Sequence, residues 1–126
     1  EEFIRRALKI TPDNSAYMDS LAWVYYRRGD LKDALKWQLK ALKGTKEPDP
    51  EVLLHLGMIY AALKDKKRAR KYILEASKIE DTEADVKAKI KTELKSLDWV
   101  LAHITAVGNP NKFLPSKGLI LSADIV

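Results

Sequence analysis

The side chains that could do chemistry in this chain are few. There is no Cys, so thiol nucleophiles, disulfides and Cys-ligated zinc are excluded. The two histidines, His55 and His103, lie far apart in the chain. No HExxH, GxSxG, P-loop or glycine-rich nucleotide turn occurs. The carboxylates are spread along the chain, as on solvated helix faces, and form no acid–base pair. No catalytic residue, metal ligand or cofactor is therefore assigned, and the chain is expected not to be an enzyme. His55, between Leu54 and Leu56, reads as a structural or groove-facing side chain.

Two constellations remain. The first is Lys64, Lys66, Lys67, Arg68, Arg70 and Lys71, six basic residues within eight positions. Such a cluster can hold phosphate or nucleic acid. It lacks interleaved aromatics in sequence, so a solvated inter-helix turn is the stronger reading and nucleic acid is not the expected partner. The second is Asp19, Trp23, Tyr26 and Arg27. Aromatics and Arg concentrate binding energy at protein contacts.

The elements that must position these groups follow from an internal repeat. A shift of 35 residues places Leu21 on Leu56, Ala22 on Gly57 and Tyr25 on Tyr60. The same shift places Ala34 on Ala69, Trp37 on Tyr72, Leu39 on Leu74 and Ala41 on Ala76. Each copy reads as two helices. Apolar residues at 17, 18, 21, 22, 24 and 25 mark the first, and Arg28-Gly29-Asp30 ends it. Asp30 is an expected N-cap for a helix over 31–42. Pro48-Asp49-Pro50 opens the next pair, with helices expected near 51–63 and 66–79. The small residues at the repeated positions allow close helix approach.

At these residues the sequence resembles the tetratricopeptide repeat family. Leu21-Ala22-x-x-Tyr25…Gly29-Asp30…Ala34…Ala41 and Leu56-Gly57-x-x-Tyr60…Ala69…Ile73…Ala76 follow its pattern. Departures are Met18 and Leu53 at the family's Trp position, Gln38 for a large apolar residue, and Lys64-Asp65 for Gly-Asp. The resemblance implies an all-α, right-handed solenoid of antiparallel helix pairs. Residues 1–14 would be the second helix of a truncated repeat, 15–49 and 50–82 two repeats, 83–105 a long capping helix and 106–126 an irregular or extended tail. The stripe Val86, Ile90, Leu94, Leu97, Leu101 and Ile104 supports an amphipathic helix in the capping segment. Leu119–Val126 reads as strand-like, without a strand to pair with.

The resemblance further implies that first helices line a concave groove. It places Asp19, Trp23, Tyr26 and Arg27 there, with Leu54, Met58, Ala61 and Ala62 at the matching positions of the next repeat. The expected function is protein–protein interaction, with a partner's peptide or helix held in the groove. The family branch that clamps a carboxylate with Lys and Asn is disfavoured, since Asp19 and Trp23 stand at those positions. Two alternatives are RNA or anionic-surface binding through Lys64–Lys71, and self-association through the groove or the tail. Oligomeric state stays open.

Composition agrees. A charged share of 33% exceeds the usual quarter and suits thin helical layers with much surface. The net charge of +5 is mild. No apolar run reaches the length of a membrane span, so membrane insertion is not expected. The chain starts Glu1-Glu2 without Met, which suggests truncation. The cytoplasm is the favoured compartment, with an extracytoplasmic one left open.

Overall fold

The computed structural model describes the backbone of residues 1–108 and the side chains of residues 1–98. The expectation for Leu119–Val126 therefore lies outside the described residues. Six helices follow in order: α1 (Glu2–Ile10), α2 (Ser15–Arg28), α3 (Leu31–Gly44), α4 (Pro50–Ala62), α5 (Lys66–Ser77) and α6 (Ala84–Gly108). The described residues form an all-helical repeat fold. Helix α2 packs on α3 and α4 on α5, each pair forming a hairpin, while α3 touches α4 and α1 touches α2. Two compact units divide at Leu94, so α6 contributes its first turns to the unit of residues 1–94.

The helix starts are set by short polar side chains. The carboxamide of Asn14 accepts the N–H of Tyr17 at 3.0 Å. Asp49 accepts the N–H groups of Glu51 and Val52 at 2.9 and 3.3 Å, with Pro50 supplying a first residue that needs no partner. Asp65 accepts the N–H of Arg68 at 3.1 Å. Asp30 stands at the start of α3 as expected, but its side chain caps no N–H. It pairs instead with Arg28 at 3.5 Å.

The two hairpin turns are built alike from different residues. Gly29 has φ +84°, its N–H bonds to the Tyr26 carbonyl at 3.0 Å, and Asp30 N–H bonds to the Tyr25 carbonyl at 2.9 Å. Lys64 has φ +70°, with the N–H of Lys64 on the Ala61 carbonyl at 3.0 Å and that of Asp65 on the Tyr60 carbonyl at 2.9 Å. A lysine thus takes the left-handed conformation that glycine takes one repeat earlier.

The core lies between the hairpins. Leu21, Leu56, Ile59, Ile73 and Gln38 are fully buried. Leu21, Tyr25, Ala34 and Ile59 form one cluster, flanked by Ile4, Leu8 and Trp37. Met18, Ala41 and Val52 form another. Gly57 must be small because a Cβ there would lie 2.3 Å from Cγ1 of Ile73 and 3.0 Å from the Ala69 carbonyl.

The C-terminal helix differs from expectation in two ways. It runs to Gly108, so residues 106–108 belong to it and not to a tail. It also has the register of a first helix. A shift of 34 carries Val52, Leu56 and Tyr60 onto Val86, Ile90 and Leu94. Ile90 is buried, and Val86 and Leu94 are half-buried. At the position of Ala22 and Gly57 stands exposed Lys91.

Candidate protein-binding groove

Helices α2 and α4 place a short stack of rings on one face. Trp23 stacks on Tyr26, with centroids 4.7 Å apart, and on His55 of α4 at 4.3 Å. Residues 23 and 26 are one helical turn apart, so their rings meet along α2. His55 reaches across from the next repeat. The Trp23 ring is thereby in contact with both rings and is half-buried.

A buried polar network holds this stack. His55 Nδ1 lies 2.8 Å from Asp19 Oδ1. Gln38 Nε2 donates to the same oxygen at 2.6 Å and to the Val52 carbonyl at 3.0 Å. Asp19 is only 9% exposed and Gln38 fully buried. A buried carboxylate requires such donors. Gln38 Oε1 is buried and has no hydrogen-bond partner.

Beside the stack lies a cavity of about 310 Å³. Trp23 of α2, Leu54, His55 and Met58 of α4, and Val86 and Lys89 of α6 line it. Three first helices thus contribute to one hollow. Burial raises the pKa of the half-buried Tyr26 hydroxyl, and the nearby Glu93 carboxylate adds to the rise.

The structure sorts the expected groove residues. Trp23 and Tyr26 are half-buried, Arg27 is exposed, and Ala61 and Ala62 are half-buried. Leu54 and Met58 are 3% and 7% exposed, so they form the floor and offer little area. Asp19 is an internal anchor, since its carboxylate is taken by Gln38 and His55. Gln38, His55 and Val86 complete the site. Gln38 could have been found from sequence: a polar residue at a large-apolar position needs a buried partner, and Asp19 supplies it.

The basic cluster is differently arranged from its reading in sequence. Tyr60 and Tyr72 stack at 5.7 Å. Arg68 lies over Tyr60 and Lys71 over Tyr72, at 5.9 and 5.1 Å from the ring centroids. Aromatics absent from the sequence stretch are therefore present in space. The cations are already engaged, however. Arg68 also pairs with Asp65 at 2.6 Å, which lowers the Asp65 pKa and raises that of Arg68. Lys66 reaches the Ala61 carbonyl at 3.5 Å. Lys64 and Lys67 are exposed.

Among the described residues no group of acidic, His or Cys side chains could hold a metal ion. No helix among them is long and apolar enough to cross a membrane.

Comparison with known proteins agrees with the repeat register. Residues 15–47 and 50–82, together just over half of the chain, match models described as tetratricopeptide repeat. A TPR repeat-containing protein of Pseudomonas aeruginosa is 45% identical over 56 residues, which cover 44% of this chain. The matched stretch spans about 9% of that relative's length.

Proposed function

The chain belongs to the tetratricopeptide repeat family, whose repeats generally mediate contacts between proteins, and we propose that it binds a partner's peptide or helix in the groove lined by α2, α4 and α6. The observation that carries this reading is the hollow beside the Trp23–Tyr26–His55 stack. Leu54 and Met58 make its floor apolar, Trp23 and His55 stand in its wall, and a buried network holds His55. Rigid, pre-positioned aromatics lose little entropy on binding and serve as anchors. Met58 adds an adaptable apolar contact on the floor. The binding would need no chemistry on the partner.

The test compares two tryptophans. Affinity capture of the partner from source lysate uses the wild-type chain, Trp23→Ala and Trp37→Ala. Trp37 packs against the core away from the groove. Trp23→Ala is expected to lose capture, with its helical circular-dichroism signal retained. Trp37→Ala is expected to lower the melting temperature and retain capture wherever it is folded. Equal capture by the two folded variants sinks the groove reading.

A second reading rests on the Tyr60–Tyr72 pair, which supplies stacking surface beside Arg68 and Lys71. It makes the α4–α5 turn a cationic surface that binds RNA or another anionic surface. Its mark would be affinity for generic RNA that falls steeply with salt.

A further inference from the structure

We propose that the segment held in the groove carries Lys or Arg next to its apolar residues, so that this chain selects cationic amphipathic segments. The inference rests on the groove reading and adds the partner's chemistry to it.

The argument is one of local charge against global charge. The whole chain carries +5. The mouth of the groove has the opposite sign. Next to the hollow at Trp23 lies a second one of about 430 Å³, and the two share Glu51 and Val86 in their walls. Glu47, Glu51, Asp81, Glu83 and Asp85 line the two hollows, against one cation, Lys89. Helix-start electrostatics account for part of the set. Asp49, in the same wall, caps α4, and Asp85 Oδ1 accepts the N–H of Val86 at 2.9 Å. Glu83 stands at the start of α6, its carbonyl accepting the N–H of Lys87 at 2.9 Å, whereas Glu47 and Asp81 lie further from the helix starts. At the Tyr26 end the Glu93 carboxylate acts on the tyrosine hydroxyl, with exposed Arg27 the next residue along α2.

Helix α6 brings one acid and one lysine, Asp85 and Lys89, to the groove and turns two other lysines away from it. Asp85 borders the groove, whereas Lys87 and Lys91 line the hollow on the α5 side with Ala76 and Ile79. An acidic rim around an apolar floor suits a segment whose apolar residues enter the hollow while its cations meet the rim. It repels acidic peptides, although the protein's net charge attracts them at long range. A preference for cationic segments would therefore report the groove and not the whole surface.

The experiment is selection of a phage-displayed library of random dodecapeptides on the full chain. Parallel selections use Trp23→Ala and the triple variant Glu51→Gln, Glu83→Gln, Asp85→Asn. An enriched peptide is then synthesised and titrated by fluorescence anisotropy. The expected result is enrichment of apolar or aromatic residues flanked by Lys or Arg. Affinity should fall about tenfold in the triple variant, as for the loss of several rim ion pairs, and should be lost in Trp23→Ala. Neutral or acidic peptides that depend on Trp23 would overturn the charge inference and leave the groove reading standing. So would cationic peptides that need Trp23 but bind the triple variant equally well. Peptides that bind Trp23→Ala as they bind wild type, or no enrichment at all, would overturn both.

Discussion

The hairpins α2–α3 and α4–α5 superimpose in sequence but not in chemistry. Leu21 and Leu56, Ala34 and Ala69, Ala41 and Ala76 are buried at matching positions, and these apolar positions set helix contact. Other matched positions diverge. Buried Gln38 corresponds to buried Ile73, Asp19 to Leu54, and Gly29 to Lys64. The divergence is correlated: where the second helix carries an amide, the first helix carries the carboxylate that satisfies it. The polar hairpin also carries the Trp23–Tyr26 pair, while the apolar one supplies the floor. A repeat therefore fixes a scaffold at some positions and leaves the rest free, and those that change together are coupled by a bond.

Breaking that correlation gives the largest effect. Ile73→Gln places an amide opposite Leu54, with no carboxylate to receive it. It should cost about 3 kcal/mol or more in urea unfolding. A loss below about 1 kcal/mol would mean that the second hairpin tolerates a polar interior unaided. The reverse change is milder. Gln38→Leu strips donors from Asp19 and from the Val52 carbonyl, and should cost about 1–2 kcal/mol. Adding Asp19→Leu should recover most of that loss, because both partners are then apolar, as in the second hairpin. A double variant as unstable as the sum of the singles would refute the coupling.

The turns allow a smaller test. Lys64→Gly should raise stability by about 0.5–1 kcal/mol, since relief of the left-handed φ exceeds the extra unfolded-chain entropy of glycine. Unchanged stability would show that the lysine's conformation carries no cost. The smallest effect separates the two aspartates. Asp65 receives bonds from the side chain and backbone of Arg68, and Asp30 caps nothing. Asp65→Ala should lower the melting temperature more than Asp30→Ala at neutral pH. The Asp65 carboxyl has a pKa held below its ordinary value by Arg68. Its contribution is present above the unfolded carboxylate range and disappears as pH falls through the folded value. The gap between wild type and Asp65→Ala should close in acid, and a gap that persists would assign it to something other than the ionised cap.

Much of this was legible in the chain. Leu, small residue and Tyr at fixed spacing, then two alanines, announced the helix pairs, because close-packed contacts admit few residue types. The groove was legible as a face but not as a surface. The family resemblance placed Asp19, Trp23, Leu54 and Met58 together, yet it could not tell that Asp19 bonds inward or that Leu54 and Met58 are the floor. Those depend on the neighbouring helices, through Gln38 of α3 and His55 of α4. The turn at Lys64 hid its geometry because the residue type does not advertise a positive φ. The register of α6 was hidden by the change of interval from 35 to 34, which moves every match by one position.

A stack of hairpins is a spring whose pitch is set joint by joint. At the joint between the two hairpins, Gln38 Nε2 bonds the Val52 carbonyl at the start of α4. Greased faces can slip past one another, whereas a directional bond resists rotation steeply. The same amide shares Asp19 Oδ1 with His55, which leans on Trp23. The position of the indole and the bond that crosses the joint are thus tied together through a single carboxylate oxygen.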